Sequence, residues 1–515
     1  LTDGKGSISL GVLPRGYYEL TCTEGATTAK LCLGVVRDHS AVAPADTRLN
    51  VDGAISWLSR REDYDALAQM LRIAGVGWVR ERFSWGGTEP QKGVVDWQQY
   101  DASADAYAKA GVRVYQIFHD SPGWTRGDSK TTKNPADLRE VYTFTKRVAE
   151  HFKGRVNAWE VWNEPDIGFW PDLGDTFAGV QKAAYLGFKA GDPELPVLMA
   201  SFCRGYCAFD DNLMESGLRD YFDIFNWHIY AAPEAYPTTL SRYLGLLERY
   251  DCADRPVWLS EAGIRVMGSE PGGELKAADE RKQAEFVPKS FAYTLAAGTD
   301  RHFFFVYPYY LERGVQFGSL RRDLSPRPGF IAIAAAADLL GQSEYLGQYT
   351  LEQATALAFD TPQGKTLVIW SNTPQTVELE APASVKVADL FGRENPAAVT
   401  GGKLKLSVGP SPQYVIGLGD LAGHLSGTVR LQGKLPVNNP CPVILRGQAQ
   451  VAALDKTRNC YLITGEPIKY TVEVCNLTEK SSARGEVALE LPAAGVHTAL
   501  MLEPVAFIPK LPENE

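Results

Sequence analysis

A regular alternation of short apolar strands with amphipathic helices runs through residues 48–342 and constrains the fold more than any other feature. Apolar side chains recur three and four residues apart over 64–74 and again over 138–152, which predicts helices that each end at a glycine. The predicted strands end near eight positions: Ile55, Phe83, His119, Asn163, Phe202, Tyr230, Glu261 and Pro308. Eight strand–helix units of this kind predict a (β/α)8 barrel.

The pattern on either side of the barrel is that of antiparallel strands. Residues 1–40 alternate apolar and polar side chains around a Gly-rich turn, which predicts a partial β-sandwich module. Residues 343–420 predict a second sandwich packed on the barrel, and residues 421–515 a C-terminal β module that follows a Gly-rich hinge. The predicted fold class is therefore α/β, a (β/α)8 TIM barrel with flanking all-β sandwich modules.

Charge and hydropathy exclude two classes of partner. The chain has 52 Lys and Arg against 62 Asp and Glu, a formal net charge of −10, with no basic stripe that could neutralise a phosphate backbone. We therefore expect no nucleic acid partner, and the lack of an apolar run of about 18 residues predicts no membrane span. The chain opens on Leu1, in what looks like the interior of a β module, so we expect an export signal upstream and a secreted or periplasmic protein.

The eight cysteines do not form a metal-binding pattern. None belongs to the paired CxxC spacing of a zinc site, so we expect no metal. Cys203 and Cys207 have the closest spacing, and Cys22 and Cys32 could face each other across a hairpin. Free thiols and local disulfides remain alternatives at these positions.

Two glutamates stand at strand ends in similar surroundings. Glu164 closes the run Trp159-Glu160-Val161-Trp162-Asn163-Glu164-Pro165-Asp166, and Glu261 closes the strand over 256–261. Side chains at the carboxyl ends of barrel strands converge on one face, whatever their separation in sequence. Glycosidic bonds are hydrolysed by a pair of carboxyl groups, one protonated for the leaving sugar and one ionised for the attack. The pair predicts a glycosidase that needs neither cofactor nor metal.

Three further segments carry a family resemblance. Trp78-Val79-Arg80-Glu81-Arg82-Phe83-Ser84-Trp85, followed by Glu89-Pro90-Gln91-Lys92-Gly93, and the later Ser121-Pro122-Gly123-Trp124 resemble the second and third barrel units of clan A retaining glycoside hydrolases. The resemblance extends over about residues 50–340, and families 39, 42 and 5 are the most similar. It implies that Glu164 is the acid/base on the fourth strand and Glu261 the nucleophile on the seventh, which are the strands that our count gives them.

Arg80 and Asn163 are the next candidate site residues. Arg80 lies on the second predicted strand, where its permanent charge could keep a nearby carboxylate ionised, as a nucleophile requires. A structural ion pair with Glu81 or with another barrel carboxylate is the alternative interpretation. Asn163, beside the acid, is expected to bind the sugar 2-hydroxyl, although it could also serve only to end the strand.

Histidine and tyrosine side chains are expected beside the carboxyl pair. His228 and Tyr230 lie two residues apart on a strand and therefore share a face. The resemblance places both near the carboxyl groups, with Tyr230 donating to Glu261, while a core histidine is the alternative for His228. His119 and Asp120, at the end of the third strand, are expected to contact sugar hydroxyls or to be part of the loop structure.

Aromatic residues on the catalytic face are candidates for stacking on sugar rings. They are Trp85, Trp124, Trp170, Tyr307 and Tyr309. Clan A enzymes often have a tryptophan at the end of the eighth strand, and Phe303-Phe304-Phe305-Val306-Tyr307 has none.

The sequence thus predicts a retaining glycoside hydrolase that cleaves β-glycosidic bonds of a polysaccharide or oligosaccharide by double displacement. An endo-acting enzyme is the main hypothesis. An exo-acting β-xylosidase-like enzyme is the nearest alternative, and a non-catalytic carbohydrate-binding protein belongs to a different class. The sequence assigns neither the sugar, nor its linkage, nor the oligomeric state.

Overall fold

The computed structural model describes residues 7–25, 27–41, 46–127, 133–268, 272–450, 453–462 and 469–478. The part of the predicted C-terminal module from residue 479 onwards lies outside these residues. No helix among the described residues has the length and apolar character needed to cross a bilayer.

An antiparallel hairpin precedes the barrel, formed by β1 (Gly16–Glu24) and β2 (Thr27–Val35). Cys22 lies opposite Ala29, and Cys32 lies opposite Glu19. The two thiols are therefore out of register, and the suggestion that they face each other is wrong. All eight cysteines are free.

Eight parallel strands form the barrel, in the order β7-β6-β5-β4-β3-β10-β9-β8. Single bridges from Leu198 to Ile224 and from Phe202 to Trp227 close the sheet between its two ends. The predicted (β/α)8 fold is confirmed. The strands are β3 (Leu49–Asp52), β4 (Trp78–Ser84), β5 (Arg113–His119), β6 (Ala158–Val161), β7 (Val197–Leu198), β8 (Phe225–Ile229), β9 (Val257–Ala262) and β10 (Arg301–Phe304).

Helices follow the strands and cover the outside of the sheet. In the helix that starts at Tyr64, the side chains that the apolar periodicity selects, namely Tyr64, Leu67, Ala68 and Leu71, are all buried, and Arg72 is buried beside them. The helices are α1 (Ile55–Leu58), α2 (Tyr64–Ile73), α3 (Trp85–Thr88), α4 (Gln98–Ala110), α5 (Leu138–His151), α6 (Gly174–Gly191), α7 (Ala208–Glu215), α8 (Tyr236–Arg249), α9 (Ala277–Ala296) and α10 (Pro328–Leu340).

The inside of the barrel has an apolar lower layer and a charged upper layer. The lower layer is a cluster of buried side chains from the starts of the strands, with Trp78, Tyr115, Trp258 and Phe303 as its large members. These rings meet edge to face at centroid distances of 4.8 to 5.5 Å. The aromatic layer closes the barrel below the polar residues, which keeps their charges away from water on that side.

A β-sandwich follows the barrel, after a short hairpin of β11 (Leu311–Glu312) and β12 (Val315–Gln316). A seven-stranded sheet faces a three-stranded sheet, and apolar side chains from both fill the space between them. The strands are β13 (Glu344–Tyr349), β14 (Thr355–Thr361), β15 (Gly364–Trp370), β16 (Gln375–Glu380), β17 (Lys386–Ala388), β18 (Glu394–Pro396), β19 (Val399–Thr400), β20 (Lys403–Val408), β21 (Gln413–Leu418) and β22 (Leu425–Ser426).

An extended segment over 427–442 runs from the sandwich along the barrel. Arg430 donates to the carbonyl oxygens of Gly298, Ala253 and Arg255, and Asn438 donates to Asp223. The segment leads to β23 (Val443–Ala449), β24 (Ala453–Asp455), β25 (Cys460–Leu462) and β26 (Tyr470–Asn476), where β23 pairs with β26 beside α6.

Arg48 joins the start of the barrel to its end and to the sandwich. Its buried guanidinium donates to the carbonyl oxygens of Asp300, Thr299 and Ser343. We expect Arg48→Met to lower the free energy of unfolding by at least about 3 kcal/mol, because it leaves these carbonyls without donors. Urea unfolding would measure the loss. Arg60→Met, at a side chain that is 73% exposed, should change stability by less than about 0.5 kcal/mol. Equal effects would contradict the structural role of Arg48.

Candidate active site

The two glutamates predicted to converge lie together at the carboxyl ends of the strands. After β6, Trp162 and Glu164 take left-handed backbone conformations, with φ of 70° and 44°. Glu261 lies within β9. A carboxylate oxygen of Glu164, one of Glu261 and a ring nitrogen of His228 all lie within 4.8 Å of one another. The fold thus brings two carboxyl groups from the fourth and seventh barrel strands to one site.

His228 lies between the two carboxyl groups. Its Nδ1 is 2.7 Å from Glu164 Oε1 and 3.8 Å from Glu261 Oε2, and its Nε2 is 2.9 Å from Ser260 Oγ. The ring is buried, so these contacts fix its orientation. The structure therefore places His228 against the predicted acid rather than in a separate part of the core.

Arg80 is fully buried and connects the polar side chains of the upper barrel layer through hydrogen bonds. Its guanidinium donates to Glu261 Oε2 at 2.7 Å, to Asp52 Oδ2 at 3.1 Å, and to both carboxylate oxygens of Glu160 at 3.1 and 3.2 Å. It also donates to Asn163 Oδ1 at 2.7 Å. Arginine suits this position because its planar guanidinium has several N–H donors and can bind more than one carboxylate at once.

The alternative partner of Arg80, Glu81, points to the other side of the strand. Glu81 accepts from Tyr107, from the backbone of Ile55 and from the hydroxyl of Ser56. It therefore holds the turn that follows β3 and is not the partner of Arg80. The ion pairs that Arg80 forms with other barrel carboxylates, Asp52 and Glu160, are those that the alternative interpretation allowed.

Glu261 has further partners on its other side. The Tyr230 hydroxyl donates to Oε1, the hydrogen bond expected between these residues, and Arg82 Nη2 lies 3.3 Å from Oε2. Burial raises the pKa of this carboxyl, but the neighbouring positive charges, above all His228 and Arg80, outweigh burial and lower the pKa to about 2. Glu261 is therefore held in its ionised form.

Glu164 has a different environment. It makes no contact with Lys or Arg among the described residues, and its partners are His228 and the Cys203 thiol. Burial raises the pKa of Cys203, so this thiol stays protonated. The two glutamates thus differ in their arginine neighbours, because Arg80 and Arg82 both donate to Glu261 and neither donates to Glu164.

Asp166 fixes the loop beside Glu164. Its Oδ2 accepts from the backbone N–H groups of Cys203 and Arg204 at 3.0 and 2.7 Å. Burial raises the pKa of Asp166 to about 6, although these two hydrogen bonds act in the opposite direction. The carboxyl group therefore positions the chain segment that carries the Cys203 thiol.

Asn163 is half-buried beside the site. Its Oδ1 accepts from Arg80, which fixes the orientation of the amide, and its Nδ2 donor has no acceptor among the described residues. This orientation suits a contact with a sugar hydroxyl.

Asp52, Glu160 and Arg82 belong to the site and were missed by the sequence analysis. Each carries a signal that was available. Arg82 shares a face with Arg80 because it lies two residues further along β4, and Asp52 is the last residue of β3. Glu160 lies in the same run as Glu164. Alternation along each strand, rather than strand ends alone, would have identified them.

Three of the predicted stacking residues are in the core, so those predictions are wrong. Trp85, Trp170 and Tyr307 are at most 1% exposed and cannot offer a ring face to a ligand. Trp85 Nε1 donates to Glu89, Trp170 stands edge to face against Trp162, and the Tyr307 hydroxyl donates to the Leu67 carbonyl. They pack the strand ends against the helices.

The remaining predicted residues are partly exposed. Trp124 donates to the Glu89 carbonyl, and Tyr309 lies against Arg322. His119 Nδ1 is 2.7 Å from Asp120 Oδ2. Burial would raise the pKa of Asp120, but the hydrogen bond from His119 and nearby positive charges lower it. These side chains remain accessible to a ligand.

The same three side chains could in principle hold a metal ion. Among the described residues, one group of acidic, histidine and cysteine side chains comes close enough together for that, and it consists of Glu164, His228 and Glu261. Arg80 and Arg82 both donate to Glu261. Their positive charges oppose a cation at this position.

Similar solved structures share the fold. No family model matches the chain. A family 39 glycoside hydrolase from the gut symbiont Bacteroides cellulosilyticus WH2 superposes with a TM-score of 0.65 at 20% identity, over 79% of this chain and 88% of the other. A monomeric β-xylosidase from Caulobacter crescentus CB15 gives 0.54 at 15% identity, over 74% and 98%.

A GH30 endoxylanase from Clostridium papyrosolvens C71 gives a TM-score of 0.52 at 12% identity, over 75% of this chain and all of the other, 100%. The resemblance to clan A glycoside hydrolases is therefore confirmed for the fold. The chain has the (β/α)8 barrel and attached β-sandwich of the family 39 and family 30 glycoside hydrolases.

Proposed function

We propose that this protein is a retaining glycoside hydrolase that cleaves β-glycosidic bonds by double displacement. The observation that carries the proposal is the carboxyl pair, whose nearest oxygens lie within 4.8 Å. Retaining enzymes have carboxyl groups about 5–5.5 Å apart, whereas inverting enzymes need about 6.5–9.5 Å to admit a water molecule. The spacing favours direct attack by a carboxylate.

Each glutamate has the neighbours that its role requires. Glu261, ionised by Arg80 and its other cationic neighbours, attacks the anomeric carbon while Glu164 gives its proton to the leaving oxygen. In the second step Glu164 takes a proton from a water molecule while the water oxygen attacks the anomeric carbon, which breaks the bond to Glu261 and releases the sugar. His228 and the Cys203 thiol hold the Glu164 carboxyl for both proton transfers.

We further propose that the substrate is a β-linked polysaccharide or oligosaccharide, attacked in endo mode, with exo action as the alternative. Solved structures of the same fold include both a β-xylosidase and an endoxylanase. A secreted location, outside the cell where such polymers occur, is part of the proposal. So is the division into a catalytic barrel over 48–342 and flanking modules over 1–40, 343–420 and 421–515.

Replacing the two glutamates should separate their roles. Glu261→Gln should reduce turnover of every substrate by about 10⁴-fold or more, because no nucleophile remains. Glu164→Ala should retain much more activity on nitrophenyl glycosides, whose leaving groups need little protonation, and azide should restore part of the rate. Initial rates on nitrophenyl glycosides and on β-glucans, xylans, mannans and galactans would measure both effects.

Glu62→Gln, at a side chain that is 65% exposed, is the matched control and should behave like the wild type. Products that chromatography resolves as oligosaccharides would support endo action, and release of monosaccharide alone would support exo action. Wild-type rates for Glu261→Gln, or inversion at the anomeric carbon detected by NMR, would contradict the retaining mechanism.

The pH dependence of kcat/KM should change when the positive charge of Arg82 is removed. Removing that charge in Arg82→Gln raises the pKa of Glu261, which must be ionised to attack. The acid limb of the kcat/KM profile should therefore move to higher pH, with a larger loss at pH 4 than at pH 7. Arg139→Gln, at an exposed surface pair with Asp137, should leave the profile unchanged. A uniform loss across the pH range would show that Arg82 acts only through structure.

A further inference from the structure

A partly exposed tryptophan lies next to the predicted nucleophile. Trp57, on α1 immediately after β3, is 46% exposed. The Arg82 guanidinium lies 4.9 Å from the centre of its ring, and the same guanidinium contacts Glu261 at 3.3 Å. The indole is therefore separated from the nucleophile by one side chain.

Trp57 is the outer member of an aromatic wall that we define as Trp57, Tyr310, Phe305 and Tyr230. Successive ring centres lie 4.8, 5.6 and 6.1 Å apart. The inner member, Tyr230, donates to Glu261, and Phe305 is buried. The wall therefore runs from the nucleophile to the rim of the catalytic face, and Trp57 is the part most open to solvent.

The backbone below Trp57 is held in place. Glu81 accepts from the N–H of Ile55 at 2.8 Å and from the Ser56 hydroxyl at 2.5 Å, and Tyr107 fixes Glu81 at 2.7 Å. With Arg82 against the ring, the indole is ordered before any ligand binds, which reduces the entropy lost on binding. The indole N–H has no acceptor among the described residues and is free to donate.

The position of the wall identifies the sugar it would contact. Trp57 follows β3 and Tyr310 follows β10. In the sheet β3 lies next to β10, and β10 lies next to β9, the strand of Glu261. Glu164 follows β6, which β4 and β5 separate from β3. The wall is therefore on the nucleophile side, where the sugar that becomes attached to Glu261 must lie.

We propose that Trp57 and Tyr310 form the platform for this sugar, a pyranose whose apolar face stacks on the indole. This inference rests on the proposed function and assigns the residue that recognises the glycone. The sugar is bound by its ring face, so a neutral pyranose is the ligand class.

Substitution of Trp57 tests the platform. We expect Trp57→Ala to raise KM by about tenfold or more, the value of a lost aromatic contact, while Trp57→Phe stays within about threefold of the wild type. The probes are nitrophenyl β-xyloside with xylotetraose, and nitrophenyl β-glucoside with cellotetraose. Within the series that the enzyme cleaves, both probes should be affected equally, because both place the same sugar on the nucleophile side.

A loss with the tetrasaccharide alone would place Trp57 on the leaving-group side and overturn the inference, as would unchanged KM values. Tyr470→Ala, on β26 and 51% exposed, is the control and should match the wild type.

Calorimetry measures binding without turnover. Each tetrasaccharide is titrated into the Glu261→Gln variant and into the double variant that also carries Trp57→Ala. Absence of turnover by the wild type would refute the proposed hydrolase. In that case weaker binding on loss of Trp57 would still support the platform, and unchanged or absent binding would refute it.

Discussion

The buried guanidinium of Arg80 is the interaction on which the rest of the site depends. It bridges Asp52, Glu160 and Glu261, which come from three different strands of the barrel. Removing such charges from water is costly, and that cost is offset only when each charge is paired and hydrogen-bonded. The barrel supplies this pairing in one layer above its aromatic base, so the position of Glu261 follows from the strand register.

The same layer gives two identical side chains different surroundings. Glu261 lies within reach of two arginines, whereas Glu164 has only His228 and a thiol as its polar partners among the described residues. A positive charge acts on a neighbouring carboxylate more strongly in a site of low dielectric constant than in water, and here the charges of Arg80 and Arg82 act on Glu261. Asp166 holds the backbone of Cys203 and Arg204, and with it the thiol beside Glu164.

Much of the architecture could be predicted because it depends on local periodicity. The spacing of Tyr64, Leu67, Ala68 and Leu71 gives a helix whose buried face is the one observed. The third barrel strand ends at His119, the residue at which the sequence predicted its end. The fifth barrel strand ends at Leu198, whereas the sequence predicted an end near Phe202. There the chain continues along the sheet through single bridges at Ser201 and Phe202, a pairing that depends on neighbouring strands rather than on local pattern.

The sequence by itself determined the barrel, the two strand-end glutamates and the sharing of a face by His228 and Tyr230, because these follow from periods of two and 3.6 residues and from where parallel strands end. Only the tertiary structure decided which aromatic rings meet the site. Trp85, Trp170 and Tyr307 are near strand ends but pack outward into the core, while Trp57 reaches the rim because Glu81 and Arg82 hold the turn beneath it. Whether a ring is exposed depends on what packs behind it, and that is a property of contacts between distant segments.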